Sequence, residues 1–160
     1  MEVTKQMIKE RFNLYNKLYF GGKLGKCKFY LLPKNTTLCG RFVSGKDSKG
    51  NEFGRIWIGN NVDWKEEELR ETIVHEMIHM YNEMVQRIPW PLTGLFRHGL
   101  FFFLQCLRIY RKYDIKVTKF AYNELRNKKL EPSKTIRVIK NILDWRYLFP
   151  ILDKIYRRDR

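Results

Sequence analysis

Two residue types at fixed spacing set the chemistry of this chain. Thr72-Ile73-Val74-His75-Glu76-Met77-Ile78-His79-Met80 places His-Glu-x-x-His inside an apolar run. On a helix, positions four apart project from one face, so His75 and His79 can grip one metal ion. Two imidazoles and an intervening glutamate at this spacing are a zinc-site signature. A hydrolytic zinc takes three protein ligands and leaves one position for water. The chain has only three histidines, and the third, His98, lies 19 residues past His79. The connecting segment is long enough to reverse direction and bring a second helix alongside. His98 is therefore the expected third ligand, and a single Zn²⁺ the expected cofactor. Glu71 and Glu83, each four residues from a motif histidine, are the alternatives by helical phase. Neighbours on the same helix rarely complete a tetrahedral set, which favours His98. Glu76 is the candidate catalytic residue, a general base for water activated at the metal. Tyr81, Arg97 and Tyr113 are candidates to stabilise an oxyanion, and the sequence does not rank them.

The elements that must position these groups follow from periodicity. Met7, Ile8, Phe12, Tyr15, Leu18 and Tyr19 recur at helical spacing over residues 4–19, with Thr4 as cap and Gly21-Gly22 as stop. Strands are expected over 27–32, 37–43 and 53–59, with turn chemistry throughout 44–51. These suggest a small antiparallel sheet, hairpin or meander, between helices, hence an α+β domain. Asp63 is the expected N-cap of the metal-binding helix, with Glu66 at capping-box spacing. Glu66, Glu67 and Glu68 complement the positive end of its dipole. The helix is expected to run to Gln86, where Pro89 and Pro91 forbid continuation. Trp90, between those prolines, is expected to plug the core. The run from Gly99 to about Tyr113 is apolar nearly all round and reads as a buried helix. Weaker helical patterns follow through 120–158.

Size and composition bound the rest. At 160 residues one domain is expected. A hydrophobic fraction of 44% and aromatic fraction of 15% exclude disorder. No apolar run reaches the ~20 residues a spanning helix needs, so no membrane role is expected. The first residues lack the apolar segment and cleavage site of a signal peptide, so the expected location is cytoplasmic, not secreted. Cys27, Cys39 and Cys106 suit reduced thiols rather than a disulfide framework.

The net charge is +15. Residues 1–100 carry 16 basic and 11 acidic side chains, and residues 101–160 carry 16 and 6. A surplus concentrated in the C-terminal part points to phosphate backbones as partner, with an acidic protein or a membrane surface as alternatives. Lys134, Arg137, Lys140, Arg146, Lys154, Arg157 and Arg158 are the expected nucleic-acid contacts.

Four pieces in order resemble the SprT-like metalloprotease family, to which Spartan belongs. Leu14 to Leu24 resembles the family's Asn-x-x-x-Phe-x-x-x-Leu helix and turn. Phe53 to Ile58 resembles the strand before the metal helix. His75-Glu76-Met77-Ile78-His79 matches the zinc motif. His98-Gly99-x-x-Phe102 matches the His-Gly-x-x-Phe that supplies the third ligand. The resemblance implies a zincin-like fold over residues 1–113 and zinc-dependent peptide hydrolysis. It also implies substrates held on DNA, including DNA–protein crosslinks, and a nucleoid or nuclear location if DNA is bound. Many members carry a C-terminal zinc ribbon. Residues 114–160 contain no cysteine, so a basic, mostly helical extension must do any DNA binding there. The competing expectation is a DNA-binding module whose zinc is structural.

Overall fold

A computed structural model describes residues 1–117, apart from 35, 37, 61, 62, 90, 91 and 94–96. Trp90, the weak helices beyond Thr118 and all seven proposed C-terminal nucleic-acid contacts lie outside the described residues. The order is α1 (Lys5–Phe20), β1 (Cys27–Leu32), β2 (Gly40–Lys46), β3 (Glu52–Gly59), α2 (Glu66–Met80) and α3 (Leu100–Tyr113). A π-helical turn, Tyr81–Val85, continues α2 without a break, so the helical run ends at Gln86 as expected. The α+β class holds. No helix among the described residues is long and apolar enough to cross a membrane.

α1 starts where Thr4 accepts from the Met7 N–H at 3.1 Å and stops at Gly21, whose φ of 61° suits glycine. Asn16 then fixes the exit. Its side chain donates to the Leu24 carbonyl at 3.0 Å and accepts from the Leu24 N–H at 3.1 Å. Phe20 and Leu24 are both buried. The spacing of Asn16, Phe20 and Leu24 is thus a turn lock: one side-chain amide satisfies both polar groups of a backbone unit and holds two apolar anchors in the core.

The sheet is mixed, not antiparallel. Its order is β1-β3-β2, with β1 parallel to β3 and β2 antiparallel to it. Alternation along a strand sets which face is buried but not which strand is its neighbour, so the parallel pair was invisible in the sequence. β2 also begins three residues later and ends three later than expected. Ser44, Gly45 and Lys46 pair with Gly54, Phe53 and Glu52 despite their turn-like chemistry. Ser44 stays in the strand because its hydroxyl donates to Glu83 on the π turn. The turn proper is closed by Asp47, which accepts from the Lys49 and Asn51 N–H groups.

α2 crosses the inner face of β2 and β3, with α1 and α3 beside it. Leu69, Ile73, Val74, Met77, Ile78 and Met80 are wholly buried against Phe42, Ile56 and Ile58. Asp63 does not cap it. Lys65 takes the N-cap position, and Glu68 accepts from the Lys65 N–H at 3.3 Å. Glu66 pairs with Arg11 of α1. Those two glutamates therefore have structural employment. α3 is also less buried than its composition suggests: Leu100 is 65% exposed, and Phe101 and Leu104 are exposed too. Its inner face, Phe102, Cys106 and Ile109, packs in the core. All three cysteines are free thiols. Burial pushes the Cys27 thiol up to about 12 and raises Cys106 further, so neither competes for a metal as thiolate.

Candidate metal centre

α2 buries His75 and His79 on the side that meets the N-terminus of α3, and His98 stands two residues before that helix. The Nε2 atoms of His75 and His98 are 3.0 Å apart, and each is 3.2 Å from Nε2 of His79. Three nitrogens thus form a nearly equilateral triangle. With each neutral imidazole protonated on Nδ1, three Nε2 lone pairs converge on one point, the arrangement that a cation stabilises. A tetrahedral zinc with bonds of about 2.0–2.1 Å separates its nitrogens by roughly 3.3–3.4 Å. The observed spacing lies within a few tenths of that, so the donor set fits the ion in chemistry and size.

Among the described residues these three are the one group of metal-ligating side chains so clustered. Glu71 and Glu83 are not part of it. Glu83 is engaged by Ser44, and it lines an open pocket beside His79 with Asn82, Thr93, Arg97 and Phe101. The π turn that follows His79 carries both Asn82 and Glu83 into that pocket wall.

Phe102 underlies the trio. Its ring centroid is 4.7 Å from those of His75 and His79 and 4.8 Å from that of His98. It is 1% exposed. The three imidazoles therefore share one apolar floor that restricts their rotation. Burial, the other two histidines and Arg97 all hold His79 well below the usual imidazole range, which keeps it neutral and able to donate a lone pair.

The Glu76 carboxylate is seated against β2. It is 4% exposed and accepts from the Phe42 N–H. The carboxylate lies so close to Gly40 that a Cβ there would sit 2.5 Å from Oε1 and 3.0 Å from Cγ. Gly40 is needed for space, not for its backbone angles. Arg97 donates to the Phe42 carbonyl at 3.0 Å. One residue of β2 thereby fixes both charged groups: its N–H holds Glu76 and its carbonyl holds Arg97. Of the three oxyanion candidates, only Arg97 lines the pocket. Tyr81 packs on Phe20 at 5.5 Å and Tyr113 on Tyr19 at 4.9 Å, both drawn to α1 by aromatic contacts.

Burial pushes the Glu76 carboxyl up to about 8, against the opposing pull of Arg97 and the Phe42 N–H. The sign of the stability effect follows. A carboxyl whose folded pKa exceeds its ordinary 4.5 binds more protons folded than unfolded, so stability falls as pH rises toward about 8. His79 acts oppositely, costing stability only as pH falls below its ordinary 6.5. From pH 6.5 to 8, therefore, chelator-treated wild type should lose stability relative to the Glu76→Gln variant. Thermal denaturation across that window checks this, and parallel curves for the two proteins would refute it.

An α+β scaffold with three converging imidazoles and a buried glutamate between two of them defines a metallopeptidase-like module. The SprT-like family model matches residues 8–119, well over half of the chain, and the chain belongs to the SprT-like family. A search of curated proteins finds no match.

Proposed function

We propose that this chain is a zinc-dependent metalloendopeptidase of zincin-like fold, acting on proteins associated with or crosslinked to DNA. The observation that carries the catalytic part is the Nε2 triangle with Glu76 fixed between its two helical members. His75, His79 and His98 would hold the ion. Zinc bound there supplies Lewis acidity toward the scissile carbonyl and toward the attacking water. Glu76 takes a proton from that water and delivers it to the leaving amine. Arg97, cationic and lining the pocket beside His79, is the residue we assign to stabilising the developing oxyanion.

The competing reading is a DNA-binding module with a structural zinc. Structural sites close the coordination shell with four protein ligands. Among the described residues the cluster has three. A structural ion also gives no reason to bury Glu76 and hold its carboxylate on the Phe42 N–H. DNA association is argued from the +15 charge and its concentration beyond residue 100, and it carries with it a cytoplasmic, nucleoid or nuclear location.

Cleavage of histone and β-casein, each with and without DNA and with a chelator, tests both parts. Chelation should abolish cleavage of both. DNA should speed histone cleavage by about tenfold or more at low salt, with the gain lost as salt displaces the polyanion. Cleavage that survives chelation would remove the metallopeptidase assignment. Histone cleavage indifferent to DNA would remove the DNA-directed part alone.

A further inference from the structure

The sheet has a second face, away from α1 and α2. Strand alternation sends Lys28 and Tyr30 of β1, Arg41 of β2, and Phe53, Arg55 and Trp57 of β3 to it. Tyr30 and Trp57 are register partners and stack with centroids 5.1 Å apart and an interplanar angle of 21°. Cations flank the rings. Arg41 stands 5.9 Å over Trp57, Arg55 lies 5.5 Å from Phe53, Lys28 is 4.6 Å from Phe53, and Lys5 reaches Tyr30 at 5.9 Å. No Asp or Glu of the three strands alternates onto this face, and the hairpin-turn Asp47 is engaged by Lys49 and Asn51. Glu52, the one acid in these strands, falls on the opposite face and pairs with Arg87. Gly45 keeps the platform low, since a Cβ there would meet Arg55 at 2.9 Å and Phe53 at 3.3 Å.

We infer that this face binds single-stranded DNA, its bases stacking on Tyr30, Phe53 and Trp57 and its phosphates meeting Lys5, Lys28, Arg41 and Arg55. Partly exposed rings interleaved with cations that no Asp or Glu of the three strands opposes are what a flexible polyanion with flat bases requires. A duplex hides its base faces, so it would use the cations and waste the rings. An RNA strand offers the same base faces and phosphates, so it is the competitor that the test must separate from DNA. The inference deepens the DNA association proposed above but is independent of the peptidase chemistry. It also gives β2 two sides with two tasks. Arg41 faces the strand of DNA, while its neighbours Gly40 and Phe42 seat Glu76.

The test is fluorescence anisotropy of labelled (dT)15 with wild type, the double variant Lys28→Glu/Arg41→Glu, Trp57→Leu and Trp57→Phe. Lys28 and Arg41 are exposed, so the charge reversal leaves packing intact. It should weaken binding at least tenfold and flatten the salt dependence by about 1.4 log units per log unit, for two phosphate contacts on a single strand. Trp57→Leu should weaken binding by about tenfold, and Trp57→Phe should restore most of it. Unchanged affinity in the charge reversal overturns the inference. So does a 15-bp duplex bound as tightly as (dT)15, or (rU)15 bound more tightly than (dT)15. DNA-free β-casein cleavage by the same variants keeps the two proposals apart. It should match wild type, and a wild type that binds (dT)15 without cleaving casein would sink the peptidase reading while leaving this surface standing.

Discussion

Glu76→Gln is expected to lower peptide hydrolysis by roughly 10²–10⁴-fold with zinc still bound. The amide keeps the shape of the carboxyl, and its oxygen can still accept from the Phe42 N–H that holds Glu76. It cannot take up a proton. The three Nε2 donors are untouched, so metal content should stay at one ion per chain. Parallel measurement of metal content and β-casein cleavage separates the two effects. A variant that retains zinc and full activity would show that Glu76 is not the base, and a variant that loses zinc would show that it supports the ligands instead.

Gly40→Ala should nearly silence the enzyme without touching a ligand. The added Cβ would overlap the Glu76 carboxylate at 2.5 Å from Oε1, and Cγ and Cδ are close behind at 3.0 and 3.1 Å. Either the glutamate leaves its place or β2 moves away, and the second breaks its pairing with Ile58. Misplacing a catalytic group by about 1 Å can cost ~10²-fold. The expected result is a loss of about that size with zinc retained and with circular dichroism like wild type. Gly45→Ala is the matched control on the same strand, since its Cβ would meet Arg55 and Phe53 on the other face of the sheet. Equal activity in Gly40→Ala and wild type would mean that Glu76 does not need its seat on β2.

The clustering of the three histidines could be read in advance because helical phase dictates that positions 75 and 79 share a face, and because the chain offers one remaining histidine. The seat of Glu76 could not. Nothing in Gly40-Arg41-Phe42 distinguishes a strand that touches the Glu76 carboxylate from any other strand. That relation exists only once β2 becomes the edge next to β3, and the strand order depends on non-local pairing. The capping of α2 failed for a similar reason. Asp63 has the right side chain, but the helix begins three residues later, at Glu66, where Arg11 of α1 is waiting. Phe102 was visible as part of a spacing pattern, yet its role as the shared floor of three imidazoles needed α3 to be laid against α2. The apolar run of α3 suggested full burial, whereas Leu100 and Leu104 stay in solvent because the core contacts only one side of that helix.

The central claim is that a single ion held by His75, His79 and His98 makes this chain a peptidase. Zinc titrated into chelator-treated protein, with β-casein cleavage followed at each step, addresses it most directly. Activity should rise in proportion to bound zinc and level off at one equivalent, and Glu76→Gln should bind the same equivalent without activity. Stoichiometric zinc binding with no cleavage at any occupancy, or cleavage that does not depend on zinc, would contradict the account.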